Sequence, residues 1–195
     1  MSETDFKFRR RAIRTLTPKI GVYLLCDLDN IPIYVGQSID GIRARVSRHL
    51  TSARSDIIAN RQIDVWEIAY VHAYPVRSRA GIARLESQLY YHFDKHSPLM
   101  NGTRPKKFSG GSRKIPRPAQ IVQVMSTEEI KNKLAASERL PRQAAHYAQI
   151  VGHFLAVKNS HQISRAMNAH FDRLRKYHAT LLGLADDQAG DDGDA

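Results

Sequence analysis

IGVYLLCDLDNIPIYVG, residues 20–36, is the stretch whose reading decides the fold. Gly21 to Cys26 is dense in β-branched, aromatic and aliphatic residues, and Asp29 and Asn30 supply turn chemistry. Ile33 to Gly36 then resumes the strand pattern, with Pro32 tolerable only at its entrance. The stretch predicts a β-hairpin. Working outward, Gly41 to about Ser55 predicts a helix, because Ile42, Val46, Leu50 and Ala53 fall on one apolar arc at the helical period. Residues 64–74 alternate, with Trp66, Ile68 and Tyr70 on one face, and predict a third strand. Arg79 to about His96 predicts a second helix whose apolar arc is Ile82, Leu85, Leu89, Tyr90 and Phe93. The order strand, strand, helix, strand, helix predicts an α/β fold around a small antiparallel sheet of about three strands, flanked by helices.

The flanks read differently. Residues 1–19 are polar with a basic run (Lys7, Arg9, Arg10, Arg11, Arg14) and predict a basic N-terminal arm, followed by the α/β domain over 20–102. Residues 103–118, TRPKKFSGGSRKIPRP, hold six basic residues and no acid and predict a basic linker. From 119 to 185 the pattern is all-helical. Ser126 with Glu129 makes a capping box for a helix to about Arg139, Pro141 opens another to about Lys158, and a third runs from His161 to about Leu184. Ile163, Met167, Phe171, Leu174 and Leu181 form one apolar stripe, and Ala145, Ala148, Val151 and Leu155 a second of mostly small residues. These stripes fit a lid on the α/β domain, a homodimer interface or a DNA-gripping element. Residues 186–195 are an acidic tail expected to be disordered.

Composition sets the partner class. Among 195 residues, 30 Lys and Arg face 19 Asp and Glu, a formal charge of +11 with a pI near 10.0. Five of the acids (Asp186, Asp187, Asp191, Asp192, Asp194) crowd the last ten residues, so the body is more cationic still. A polyanion is the expected partner. Apolar runs are far too short for a membrane span, and no secretory apolar core follows Met1. The single Cys26 excludes an internal disulfide and a cysteine-rich zinc site, which fits a cytoplasmic location.

Glu86 carries the most chemical information, because it falls inside the apolar arc of its helix. A carboxylate there needs a cation, a metal or a shifted pKa, and a structural ion pair with arginine is the bland alternative. On the preceding helix Arg45 and His49 lie four residues apart, on one face, beside a hairpin bearing Tyr23 and Tyr34. Guanidinium, imidazole, phenols and carboxylate are the set needed for metal-assisted attack on a phosphodiester. His92 and His96 have metal-ligand spacing but no third ligand near them, and they read as a solvated helix end.

These residues resemble the GIY-YIG nuclease superfamily. Gly21-Val22-Tyr23, ten residues, and Tyr34-Val35-Gly36 look like its paired motif, with valine for isoleucine in both halves. Arg45 followed by His49 resembles its Arg-x-x-x-His, Glu86 its metal-binding glutamate, and Asn101 the asparagine that closes the module. One residue is inserted between Gly36 and Arg45, which leaves Arg43 as the alternative arginine. The resemblance implies a nuclease domain over roughly 20–101 and hydrolysis of DNA with Mg²⁺ or Mn²⁺ held by Glu86. It implies Arg45 on the phosphoryl oxygens, Tyr23 as the base, Tyr34 and His49 beside it, and Gly21 and Gly36 at close backbone approaches. Arg43, Arg48, Lys106, Lys107, Arg113, Lys114 and Arg117 are the expected DNA-backbone contacts. The expectation is a divalent-metal-dependent DNA endonuclease of a restriction or defence kind. Repair or homing enzymes and a non-catalytic nucleic-acid-binding protein are the alternatives.

Overall fold

The hairpin forms because Asp27 organises its turn. Its Oδ1 accepts from the backbone N–H groups of Asp29 (3.0 Å) and Ile31 (2.8 Å), and Asn30 takes a φ of 59°, a conformation asparagine tolerates better than most residues. The computed structural model describes residues 2–52, 62–108, 114–156 and 160–184. In it β1 (Gly21–Cys26) pairs on one side with β2 (Pro32–Ser38) and on the other with β3 (Tyr70–Pro75). A fourth strand, β4 (Gln120–Gln123), pairs with β3, so the antiparallel sheet runs β2-β1-β3-β4 rather than stopping at three.

Strand alternation divides the core in two. Tyr23 and Leu25 point to the face covered by α2 (Ile42–Thr51), where Ile42, Val46 and Leu50 pack on them. Val22, Leu24 and Cys26 point to the opposite face, covered by α3 (Ala80–Phe93) through Ile82, Leu89 and Tyr90. The α/β architecture expected from the sequence is therefore present, and Cys26 is the small buried strand residue it resembles.

Several expected elements are corrected. The N-terminal segment is a helix packed on the core, α1 (Glu3–Arg14), not an arm. Ser2 and Asp5 form a reciprocal capping box, and Ile13 and Leu16 are buried beside α2. Arg9 is 1% exposed and donates to the backbone carbonyls of Val65, Ile68 and Val124, which pins α1 across the sheet. The third strand begins at Tyr70 rather than at residue 64. Asp64 caps a one-turn 3₁₀ helix (Val65–Glu67) by accepting from the Trp66 N–H, and that turn uses the residues expected to alternate. On the described part of α2, the expected continuation to Ser55 stops at Thr51, and residues 53–61 lie outside the described residues.

Beyond residue 123 the C-terminal third is helical, as the sequence predicts, and it packs on the α/β domain. Residues 120–123 enter the sheet, and α4 (Thr127–Leu134), α5 (Ala136–Ala156) and α6 (His161–Leu181) follow. The break falls at Ala135, and Pro141 lies inside α5 instead of opening it. The buried face of α5 is polar: Arg139, Gln143 and His146, with Ile150. Ala145, Ala148 and Leu155 of the expected small-residue stripe are exposed, as are Phe171 and Leu181 of the other. The reason is the docking surface, which is rich in carboxylates. Arg139 bonds Glu67, Asp29 and the Tyr177 hydroxyl, Arg173 bonds Asp27, Gln143 bonds Glu67, and Arg142 forks onto Asp64. Burial pushes the Asp27 and Glu67 carboxyls up while the two guanidiniums pull them down, and the buried carboxylates hold Arg139 charged. Removing one partner of such a network costs about 3–5 kcal/mol because the others stay buried and uncompensated.

The described residues of the basic linker lie along α3. The Tyr91 hydroxyl donates to the Pro105 carbonyl (3.0 Å), Gln88 donates to the Lys114 carbonyl (2.9 Å), and Ile115 packs on the α3 core. Arg113, Ala185 and the acidic tail over 186–195 lie outside the described residues. No helix among the described residues is long and apolar enough to cross a membrane.

Candidate active site

Tyr23 stands in the middle of β1, directly opposite Gly36 in the register with β2. A Cβ on Gly36 would lie 2.3 Å from the Tyr23 phenol, so only glycine lets the ring cross its neighbour strand. The phenol reaches α2, where its Oη and the His49 Nε2 are 2.7 Å apart. With the imidazole proton on Nδ1 the phenol donates and His49 accepts. Tyr34, two residues before Gly36 on the same sheet face, completes a ring cluster: its centroid is 6.5 Å from Tyr23 and 6.3 Å from His49. Tyr23 and His49 are closed to solvent, at 0% and 1% exposure, whereas Tyr34 and Arg45 are half-buried.

The start of α2 is fixed by its neighbours. Ser38 donates from Oγ to the Gly41 carbonyl (2.8 Å), and Gly41 takes a φ of 105° with its Cα against the Pro18 carbonyl. That turn sets the rotation of α2 so that Arg45 and His49 face the hairpin side. Sequence reading passed over Gly41, although a glycine immediately before a helix was the available signal. Arg43 faces elsewhere: its Nε donates to the Leu16 carbonyl at 2.7 Å, which ties it to the α1–β1 connection. Arg48 is exposed.

Glu86 sits on α3, the helix that covers the opposite sheet face from α2. It is half-buried, burial pushes its carboxyl up, and it makes no hydrogen bond or ion pair with any described residue. The structural ion pair with arginine is therefore not formed there. Helix α3 packs on β1 and on the edge strand β2, on the sheet face opposite the one that bears Tyr23 and Tyr34. Asn101 lies on that edge. Its Oδ1 accepts from the Val35 N–H and its Nδ2 donates to the Val35 carbonyl, while Met100 N–H donates to the Ile33 carbonyl. Gly21 approaches the Tyr74 carbonyl, where a Cβ would lie at 2.3 Å.

A divalent cation fits the Glu86 carboxylate on its chemistry: a half-buried acid without a cationic partner, next to a strongly basic surface. Among the described residues no group of three His, Cys, Asp or Glu could cage a metal, and His92 and His96, with rings 5.4 Å apart, gain no third ligand. A magnesium ion that keeps most of its waters needs only one or two carboxylates besides substrate oxygens. Lys106, Lys107, Lys114 and Arg117 are exposed along the outside of α3, with Lys107 over the Tyr91 ring.

The family model of the GIY-YIG catalytic domain matches residues 19–98. It spans β1 to α3 and leaves α1, β4 and the three C-terminal helices outside the match. No curated protein and no solved structure matches the chain.

Proposed function

We propose, from the match of residues 19–98 to the GIY-YIG catalytic domain, that this chain is a nuclease of that superfamily, a DNA endonuclease dependent on a divalent metal. The observation that carries the proposal is the buried Tyr23–His49 hydrogen bond of 2.7 Å beside Tyr34 and Arg45. An ordinary phenol titrates near 10 and is a poor base at neutral pH. An imidazole in contact with it lowers the barrier, because His49 takes the phenolic proton as Tyr23 takes one from the attacking water. Tyr23 is closed to solvent, so this role requires DNA binding to open its hydroxyl; Tyr34 and Arg45 are already accessible. Arg45 places a planar fork on the phosphoryl oxygens, and Tyr34 orients the water or the phosphate. Glu86 would hold Mg²⁺ or Mn²⁺ with water completing the shell. When bound there, the ion supplies a Lewis acid that neutralises charge on the phosphate oxygens.

The basic surface, with Arg48, Lys106, Lys107, Lys114 and Arg117 among the described residues, supports a DNA duplex as substrate through its phosphates. A restriction or defence role is the biology we favour, and repair or homing enzymes built on the same domain are the alternatives. The experiment is incubation of supercoiled plasmid with the protein, with Mg²⁺ or with EDTA, beside Glu86→Gln. Metal-dependent nicking or cutting that Glu86→Gln abolishes while binding survives supports the proposal. Binding without cleavage by the wild type would make the domain a non-catalytic nucleic-acid binder.

A further inference from the structure

Helix α1 lies outside the family match, yet it presents a basic face, on which Lys7 is paired with Glu3. Lys7, Arg10, Arg11 and Arg14 are all exposed on it. A cavity of about 320 Å³ opens between α1 and α2, lined by Arg10 and Arg14 from the first helix and by Arg43, Ala44 and Ser47 from the second. Arg10 and Arg14 are one turn apart and make no ion pair with any described residue. Arg43 is anchored through Nε on the Leu16 carbonyl, which fixes its plane and leaves its two terminal nitrogens for another acceptor. Asp40 is the single carboxylate among the described residues of the wall. Three guanidiniums converging on one concave site, one of them pre-oriented, recognise a tetrahedral oxyanion.

The position of the cleft identifies its occupant. On α2, Arg43 and Ser47 lie on one side, Arg45 and His49 on the other, and the exposed Ala44 and Arg48 lie between them. A strand crossing α2 from Arg45 to the cleft covers about the width of a helix with side chains, roughly 10–12 Å. That span is bridged by neighbouring phosphates of one strand, not by distant ones.

We propose that the α1–α2 cleft docks a backbone phosphate of duplex DNA, a near neighbour on the same strand of the phosphate beside Arg45. The inference rests on the nuclease reading above. It gives α1 a function that its place outside the family match leaves open: it sets the register of the duplex over the active face, without reading bases.

The test is binding of a duplex oligonucleotide in EDTA at several salt concentrations, with wild type, Arg10→Ala/Arg14→Ala and Ala44→Glu. Each phosphate contact contributes about 0.9 to the slope of log affinity against log salt, so both variants should bind more weakly, with a slope smaller by about 0.9. Ala44→Glu leaves α1 and all three arginines in place, and it decides the matter if the double variant does not fold. An unchanged slope in a folded variant overturns the cleft and leaves the nuclease reading standing. Inorganic phosphate that raises the thermal midpoint of the wild type but not of Arg10→Ala/Arg14→Ala, with unchanged DNA slopes, also overturns it in favour of a free anion. A wild type that does not bind DNA at all overturns both readings.

Discussion

Asn101 pairs with Val35 as a neighbouring strand would: its side-chain Oδ1 accepts from the Val35 N–H at 3.0 Å and its Nδ2 donates to the Val35 carbonyl at 2.7 Å. Val35 stands between Tyr34 and Gly36 on the edge strand, so one amide both closes the edge and holds the backbone that carries Tyr34. Arg165 in turn donates to the Asn101 carbonyl and bonds Asp94, which links α6 to the same point. The asparagine that the resemblance places at the end of the module thus pairs with the backbone of the tyrosine-bearing strand.

Asn101→Ala leaves a buried donor and acceptor of Val35 open, each costing about 1–3 kcal/mol. The thermal midpoint should fall by several degrees, at about 2–4 °C per kcal/mol for a chain of this size. The isosteric Asn101→Asp should be no better, because it sets a carboxylate oxygen against the Val35 carbonyl. Thermal melts of the two variants check this; an unaffected Asp variant would remove the clamp.

Gly36→Ala should displace the Tyr23 ring, since the new Cβ would meet the phenol at 2.3 Å. Cleavage should drop by about 10²-fold or more, as expected when a reacting group is misplaced by about 1 Å. Single-turnover cleavage rates of the folded variant measure it.

Arg45→Lys should lower the cleavage rate by about 10²-fold or more, because a point charge replaces a fork aimed at the phosphoryl oxygens. Arg43→Ala loses the bond to the Leu16 carbonyl and should act first on stability and DNA affinity, with a smaller effect on the rate at saturating DNA. Rates and melts of both variants separate the two. The reverse order would make Arg43 the arginine of the reaction.

What the sequence made legible was local. The hairpin, α2 and α3 have strong periodicity and their own turn chemistry, and Tyr23, Tyr34, Arg45 and His49 follow from that frame at once. What it hid depends on distant partners. β4 is four residues long and exists because β3 offers an edge. Helix α1 was masked by its arginines, one of which, Arg9, is a buried pin on three carbonyls. The docking face of α5 repeats Arg139, Gln143 and His146 at helical spacing, a pattern invisible to a search for apolar residues. Glu86 was legible as an anomaly, and its lack of a described partner is consistent with that.

His170 gives the fold a pH dependence. Burial, with His146 at a ring separation of 5.0 Å, pushes its pKa from 6.5 down to about 3, and its Nε2 lies 3.0 Å from the Gln62 carbonyl. The unfolded chain therefore binds a proton that the folded chain refuses between about pH 6.5 and 3. The contribution is fully present above 6.5 and is lost as pH falls, by up to about 1.4 kcal/mol per unit. His170→Gln, which can still donate to Gln62, should lose less stability between pH 7 and pH 5 than the wild type does. Denaturant midpoints at the two pH values test the difference; parallel losses would contradict it.

The central claim is that Tyr23 and His49 act on the phosphodiester as one unit. Its most direct measurement is the single-turnover rate of plasmid cleavage with saturating Mg²⁺ for wild type, Tyr23→Phe, His49→Ala, the double variant and Tyr34→Phe. The account predicts that each single change at Tyr23 or His49 costs nearly as much as both together, since either breaks the same proton path. Tyr34→Phe should cost less. Independent, multiplying losses at Tyr23 and His49, or a rate that survives both while Tyr34→Phe abolishes it, would contradict the account.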